Sequence, residues 1–234
     1  MEHCPCTLRN FLDQKDFSFS EIQISEIACQ VLNGLSFLHK ARVVHNNLRA
    51  ESLLLTPDKT IRICDFSCAE QIPEGRDGIE IDRSVHPRGA VKKTWFLLCN
   101  LLKNNFQQKK KLHFAAPERS ASKTYDALSD IWSFGVLLIE LTQGHPPLKN
   151  EPPLKVMMMV GTGTYSPLEV LDNKGTFGEE LTLVLAQCLQ FDPSKRPTAQ
   201  QLLSHPFVSS GKDSNNLKSL EPEQIGFFSL SHFP

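Results

Sequence analysis

The chain has 234 residues, a formal net charge of −1 and 40% hydrophobic residues, enough for one domain with a sizeable core. That balance offers no basic surface for nucleic acid or an anionic membrane, and no apolar run reaches the length of a bilayer span. Seven cysteines, with no metal spacing beyond Cys4-Pro5-Cys6 and no signal-peptide pattern ahead of them, point to a reduced, cytoplasmic protein.

In chain order, Ile24, Ile27, Ala28, Val31, Leu35 and Leu38 recur at three and four residues and predict one apolar helix face. Leu53-Leu54-Leu55 and Ile61-Arg62-Ile63, with the turn signal Thr56-Pro57-Asp58-Lys59 between them, predict a short hairpin. Lys109-Lys110-Lys111 reads as a solvated charge run. Residues 131–141 are apolar nearly all round, the mark of a buried helix. Met157-Met158-Met159 reads as a helix patch belonging to the core, and 181–189 and 199–203 as further helices. From about Ser209 onward Ser, Asn, Lys and Glu dominate, so 209–234 is expected to be a disordered tail. No internal repeat is evident.

Two stretches carry chemistry. Val44-His45-Asn46-Asn47-Leu48-Arg49-Ala50-Glu51-Ser52-Leu53-Leu54-Leu55 is followed by Ile63-Cys64-Asp65-Phe66-Ser67. They resemble the H-R-D-L-x-x-x-N catalytic loop and the D-F-G motif of protein kinases. Phe114-Ala115-Ala116-Pro117-Glu118 is similar to the A-P-E that closes the activation segment. Asp130-Ile131-Trp132-Ser133-Phe134-Gly135 is similar to the D-x-W-S-x-G of the buried central helix. Lys195-Arg196-Pro197-Thr198 and His205-Pro206-Phe207 resemble the family's last signatures. The matches stand in family order over residues 1–208. They imply a mainly α fold, the large lobe of the α+β protein-kinase-like fold, with a short β-hairpin at the cleft. The pattern around 142–207, including Pro152-Pro153-Leu154-Lys155-Val156-Met157, is most similar to the sterile-twenty-related Ser/Thr kinases.

The resemblance also fixes what has changed. Phosphoryl transfer needs a metal on the phosphates, a cation on the transferred group and an anion orienting the substrate hydroxyl. The proton-accepting Asp of the catalytic loop is Asn47 here, an amide without useful basicity. Loss of a general base commonly removes about 10²- to 10⁴-fold in rate. The metal-ligand Asn is Ser52, a weaker ligand, and the Gly of D-F-G is Ser67. Asp65 keeps the hard-oxygen chemistry suited to Mg²⁺, either as a ligand or as a relic that holds loop geometry. Arg49 stands where Ser/Thr kinases carry a Lys. By family spacing Leu54 is the floor of the adenine pocket or, equally, plain strand core. His45 and Asp130 are expected beneath the loop, and Glu118 and Arg196 as a buried ion pair.

Met1-Glu2-His3-Cys4 resembles the hinge between lobes, so the expectation is a chain without the small lobe that covers the nucleotide. ATP and Mg²⁺ are then implied only if a small lobe exists, and otherwise no cofactor. Residues 91–107 interrupt the activation segment with an apolar stretch. They read as an in-frame retained intron or, alternatively, as an amphipathic insert. The functional expectation is a pseudokinase acting as allosteric partner or scaffold, with another protein kinase or signalling protein as its partner and neither nucleic acid nor membrane. The alternative is a weakly active ATP-dependent Ser/Thr kinase.

Overall fold

The computed structural model describes residues 6–80, 111–121, 124–172, 178–212 and 215–220. The chain enters as a two-residue strand, β1 (Cys6–Thr7), and turns into a short helix, α1 (Leu8–Leu12). Asn10 Oδ1 accepts from the Thr7 amide and hydroxyl, both at 2.8 Å, and so fixes that turn. Helix α2 (Glu21–Lys40) follows, opened by a reciprocal cap in which Gln23 Oε1 accepts from Ser20 N at 2.9 Å. Its predicted apolar face is the buried one: Ile24, Ile27, Ala28, Val31 and Leu35 are almost fully excluded from water. Each of these side chains but the small Ala28 contributes roughly 1.5–3 kcal/mol through burial.

After α2 the chain makes β2 (Val43–Val44), the loop of interest, and β3 (Leu53–Leu55), then β4 (Ile61–Ile63) and β5 (Glu70–Gln71). The hairpin has the expected pairing, Leu53 with Ile63 and Leu55 with Ile61, both antiparallel. Two further pairings were not legible in the sequence. β1 pairs with β3, giving the order β1-β3-β4, and β2 pairs with β5 in a separate ribbon. Strands of two residues are too short to leave an alternation pattern.

The rest is helical: α3 (Pro117–Ser120), α4 (Leu128–Gln143), α5 (Pro153–Thr162), α6 (Glu179–Cys188), α7 (Ala199–Leu202) and α8 (Pro206–Ser209). Helix α4 is the hub, buried from Ser129 to Leu141 without a break. It stops at Gly144, whose φ of +78° is the left-handed conformation that glycine adopts without strain. Helix α2 packs across α4, α7 and α8. On α5 Val156 and Val160, one turn apart, are buried and Met159 packs against the core beside them, whereas Met158 is 61% exposed. The methionine run is therefore only partly core, because helical geometry turns Met158 away from the α5 side that carries the two valines.

Composition suggested disorder from Ser209 onward, whereas residues 215–220 are packed on the lobe. Glu26 Oε2 accepts from the Asn216 and Leu217 amides at 2.8 and 3.3 Å, and Leu217 and Leu220 are buried in the main core. Two leucines in a polar segment, met by a buried carboxylate on α2, hold 215–220 to the lobe. Residues 221–234, with Phe227, Phe228 and Phe233, lie outside the described residues, as does the 91–107 stretch. Among the described residues no helix is long and apolar enough to cross a membrane.

Candidate functional site

The loop between β2 and β3 hangs from the first turn of α4. Asp130, fully buried, accepts from His45 N and Asn46 N at 2.8 Å each, one on each carboxylate oxygen. His39 Nε2 lies 3.0 Å from the same carboxylate. Charge-assisted bonds of this kind are about twice as strong as neutral ones, so the loop's starting point is well fixed. Asn46 then takes φ +64°, a left-handed conformation that Asn tolerates better than most residues. Its side-chain amide donates to the Cys68 carbonyl at 3.1 Å, and Arg119 donates to its main-chain carbonyl at 3.1 Å. His45 packs beneath, with Nε2 2.9 Å from the Cys64 carbonyl and its ring edge-on to Phe66. Since a carbonyl only accepts, Nε2 carries the hydrogen. Burial lowers the His45 pKa, the Asp130 charge and the Cys64 bond opposing it, and the ring is neutral near pH 7.

This scaffold brings Asn47 and Asp65 together. Asn47 Nδ2 donates to Asp65 Oδ2 at 2.5 Å, and Ser67 Oγ donates to Asp65 Oδ1 at 2.6 Å. Lys111 Nζ stands 3.9 Å from Asp65 Oδ2 and donates to Cys68 Sγ at 3.5 Å. Partial burial would raise the Asp65 pKa. The Ser67 hydroxyl, the Lys111 ammonium and the Asn47 amide outweigh it and hold the carboxyl below its ordinary value. Asp65 is thus ionised at neutral pH, with a protein donor on each oxygen.

The other expected site residues face elsewhere. Ser52 is fully buried; its hydroxyl donates to Arg49 O at 2.8 Å and accepts from Arg49 N at 3.0 Å, so it serves its own turn. Arg49 is buried too, with its guanidinium 3.3 Å from Glu51. Leu54 is half-buried on the face of β3 opposite Leu53 and Leu55, which point into the core. Glu118 and Arg196 meet each other in two bonds of 2.8 and 2.9 Å.

Magnesium prefers near-octahedral oxygen ligation, usually through one or two carboxylates with the rest supplied by water or phosphate. Here one carboxylate is engaged by an amide, a hydroxyl and an ammonium, and Ser52 is spent in its turn. Among the described residues no three His, Cys, Asp or Glu side chains cluster as a metal site. The residues do not fit the ion that the family uses.

Sequence reasoning overlooked Lys111. It read as part of a solvated run, yet its side chain is only 16% exposed and points at Asp65. The available signal was its place five residues before Ala116-Pro117-Glu118, where the activation segment returns to the cleft.

Next to the loop, Arg9, Glu51, His113, Glu140 and Gly144 help line a cavity of about 520 Å³. Glu140 Oε2 accepts from Ala50 N at 3.0 Å, while Arg9 lies 3.4 Å from its other oxygen and donates to Gly144 O at 3.1 Å. Burial, with Glu51 adding to it, pushes the Glu140 carboxyl up to about 7. In the unfolded chain the group titrates near 4.5. The fold therefore holds the extra proton between these values, and stability falls as pH rises from one to the other, by at most roughly 3 kcal/mol. Glu140→Gln keeps an oxygen for Ala50 and should flatten that slope. Urea denaturation across this range would contradict the assignment if both proteins lost stability equally.

Comparison with known proteins agrees with this architecture. Residues 1–208 match the protein kinase domain family. The serine/threonine-protein kinase pakG of Dictyostelium discoideum is 31% identical over 209 residues, covering 89% of this chain and 15% of that protein. The serine/threonine-protein kinase STE20 of Candida glabrata is 30% identical over 203 residues, covering 87% of this chain and 19% of that protein. Serine/threonine-protein kinase 4 homolog A of Dictyostelium discoideum is 29% identical over 225 residues, covering 96% and 43%. The chain thus spans less than half the length of each of these relatives. With the family's residues in order and the relatives all of one group, the chain belongs to the protein kinase superfamily and is related to its STE20-like Ser/Thr members.

Proposed function

We propose that this chain is a pseudokinase that works by binding, as an allosteric partner or scaffold for another protein kinase or signalling protein. One observation carries the reading: the acid that a kinase would give to metal is bonded to Asn47 and Ser67 and faces Lys111. Asn47 has no proton-accepting capacity to replace the missing base, and its carbonyl oxygen is buried without a hydrogen-bond partner.

A second reading has its own support, since Asp65 is retained and the relatives carry the names of Ser/Thr kinases. On it, the chain is a weak ATP-dependent kinase that needs a small lobe and Mg²⁺. Asp65 is then released from its present donors to hold the metal, and Arg49 is released from Glu51 to steady the phosphate. Reversion separates the two. Asn47→Asp restores a base, and a merely weakened kinase should gain phosphotransfer to a generic protein substrate by about 10²-fold or more. The pseudokinase reading expects no gain, because Ser67 and Lys111 still engage Asp65 and Ser52 stays in its own turn.

A further inference from the structure

Lys111 occupies a position that neither the catalytic reading nor the fold requires. Its ammonium lies 3.9 Å from the carboxylate oxygen that Asn47 also holds, and it bonds the Cys68 thiol on the same turn. Asp65 is itself in the left-handed conformation, φ +61°, with Ser67 closing the turn from the other side. Lys111 belongs to the segment leading into α3, and so its side chain ties that segment to the Asp65 turn. A lysine needs a reason to stay 16% exposed, since its stem ordinarily carries the charge out to water. The reason present is the carboxylate.

We propose that Lys111 is a built-in cation that takes the charge-neutralising place of a divalent metal at Asp65. It would hold residues 111–116, which lead into α3, against the Asp65 turn without metal or nucleotide. The inference rests on the binding-only reading above and adds its regulation: the contact between Lys111 and Asp65 is permanent rather than switched by a ligand. A divalent ion reaches Asp65 only by displacing Lys111, and two cations sharing one carboxylate repel each other.

The test is equilibrium binding of Mn²⁺ alone, followed by the electron spin resonance of the free ion, on the full chain and on Lys111→Met, which keeps the length and apolar stem. Removing the unit charge that stands 3.9 Å from the Asp65 carboxylate oxygen should tighten Asp65-dependent binding by about tenfold or more. The gain should vanish in the Lys111→Met, Asp65→Asn double variant. Equal affinities for the two chains, or a gain that survives the loss of Asp65, would overturn the proposal. Should Lys111→Met fail to fold, acetylation rates of the native protein decide. Lys111 should then label at least about tenfold more slowly than the exposed Lys195, and equal rates would overturn the proposal. Neither readout involves phosphotransfer, so a failure here leaves the pseudokinase reading to its own assay.

Discussion

Replacing Arg196 with alanine is expected to destabilise the lobe by about 3–5 kcal/mol, the usual result of breaking a buried pair from one side. The guanidinium side chain is fully excluded from water and makes two bonds to Glu118 of 2.8 and 2.9 Å. It also donates to the carbonyls of Gln190, Leu128 and Phe191, and it sits 5.2 Å over the Trp132 ring. Alanine would leave Glu118 charged and unpaired, with three carbonyls to satisfy. Lysine at 196 should rescue little, because a point charge cannot span a carboxylate and three carbonyls as a planar fork does. Urea denaturation reads the effect as a lower midpoint with an unchanged slope. A loss under 1 kcal/mol would mean that the pair does not join α3 to the lobe base as described.

Asp130→Ala should have an effect of similar size, but a more local one. Two main-chain N–H groups, those of His45 and Asn46, would lose their acceptor inside the protein. Hydrogen bonds to charged groups contribute about 1.5–3 kcal/mol each, and a stranded buried donor adds its desolvation penalty. A total of about 3–5 kcal/mol is expected. The telling readout is amide hydrogen exchange. His45 and Asn46 should lose protection ahead of the rest of the lobe, while the α4 amides stay protected to global unfolding. Uniform acceleration would show that Asp130 serves the helix rather than the loop.

The long elements were legible because burial imposes a period. Helix α2 declared its face through six apolar residues, and α4 through the absence of any polar face. Leu53 and Leu55 against Ile61 and Ile63 gave the hairpin. The two-residue strands, in contrast, are held by pairing across the sequence and leave no local trace. The partners Asp130, Glu118 and Arg196 were named through family motifs, and the geometry places Asp130 under the loop and the other two together. The electrostatics of the cleft could not be read in the same way. Ser52 and Arg49 sit in catalytic positions of the sequence, yet their side chains turn to a local backbone bond and to Glu51. Lys111, in a run that looked solvated, turns inward. Lys111 is turned by a carboxylate remote in sequence, which the sequence does not display. Arg49 and Ser52 are turned by near neighbours that the family motif does not single out.

The central claim is that this member of the protein kinase superfamily keeps the frame of the catalytic loop without its chemistry. The most direct test is transfer of the γ-phosphate from labelled ATP with Mg²⁺ to a generic protein substrate. It compares the protein in its natural length with its Asp65→Asn variant. The expected result is the same background rate for both. Transfer by the natural protein that the Asp65→Asn change abolishes would contradict the account, because it would place metal on a carboxylate assigned to Asn47, Ser67 and Lys111.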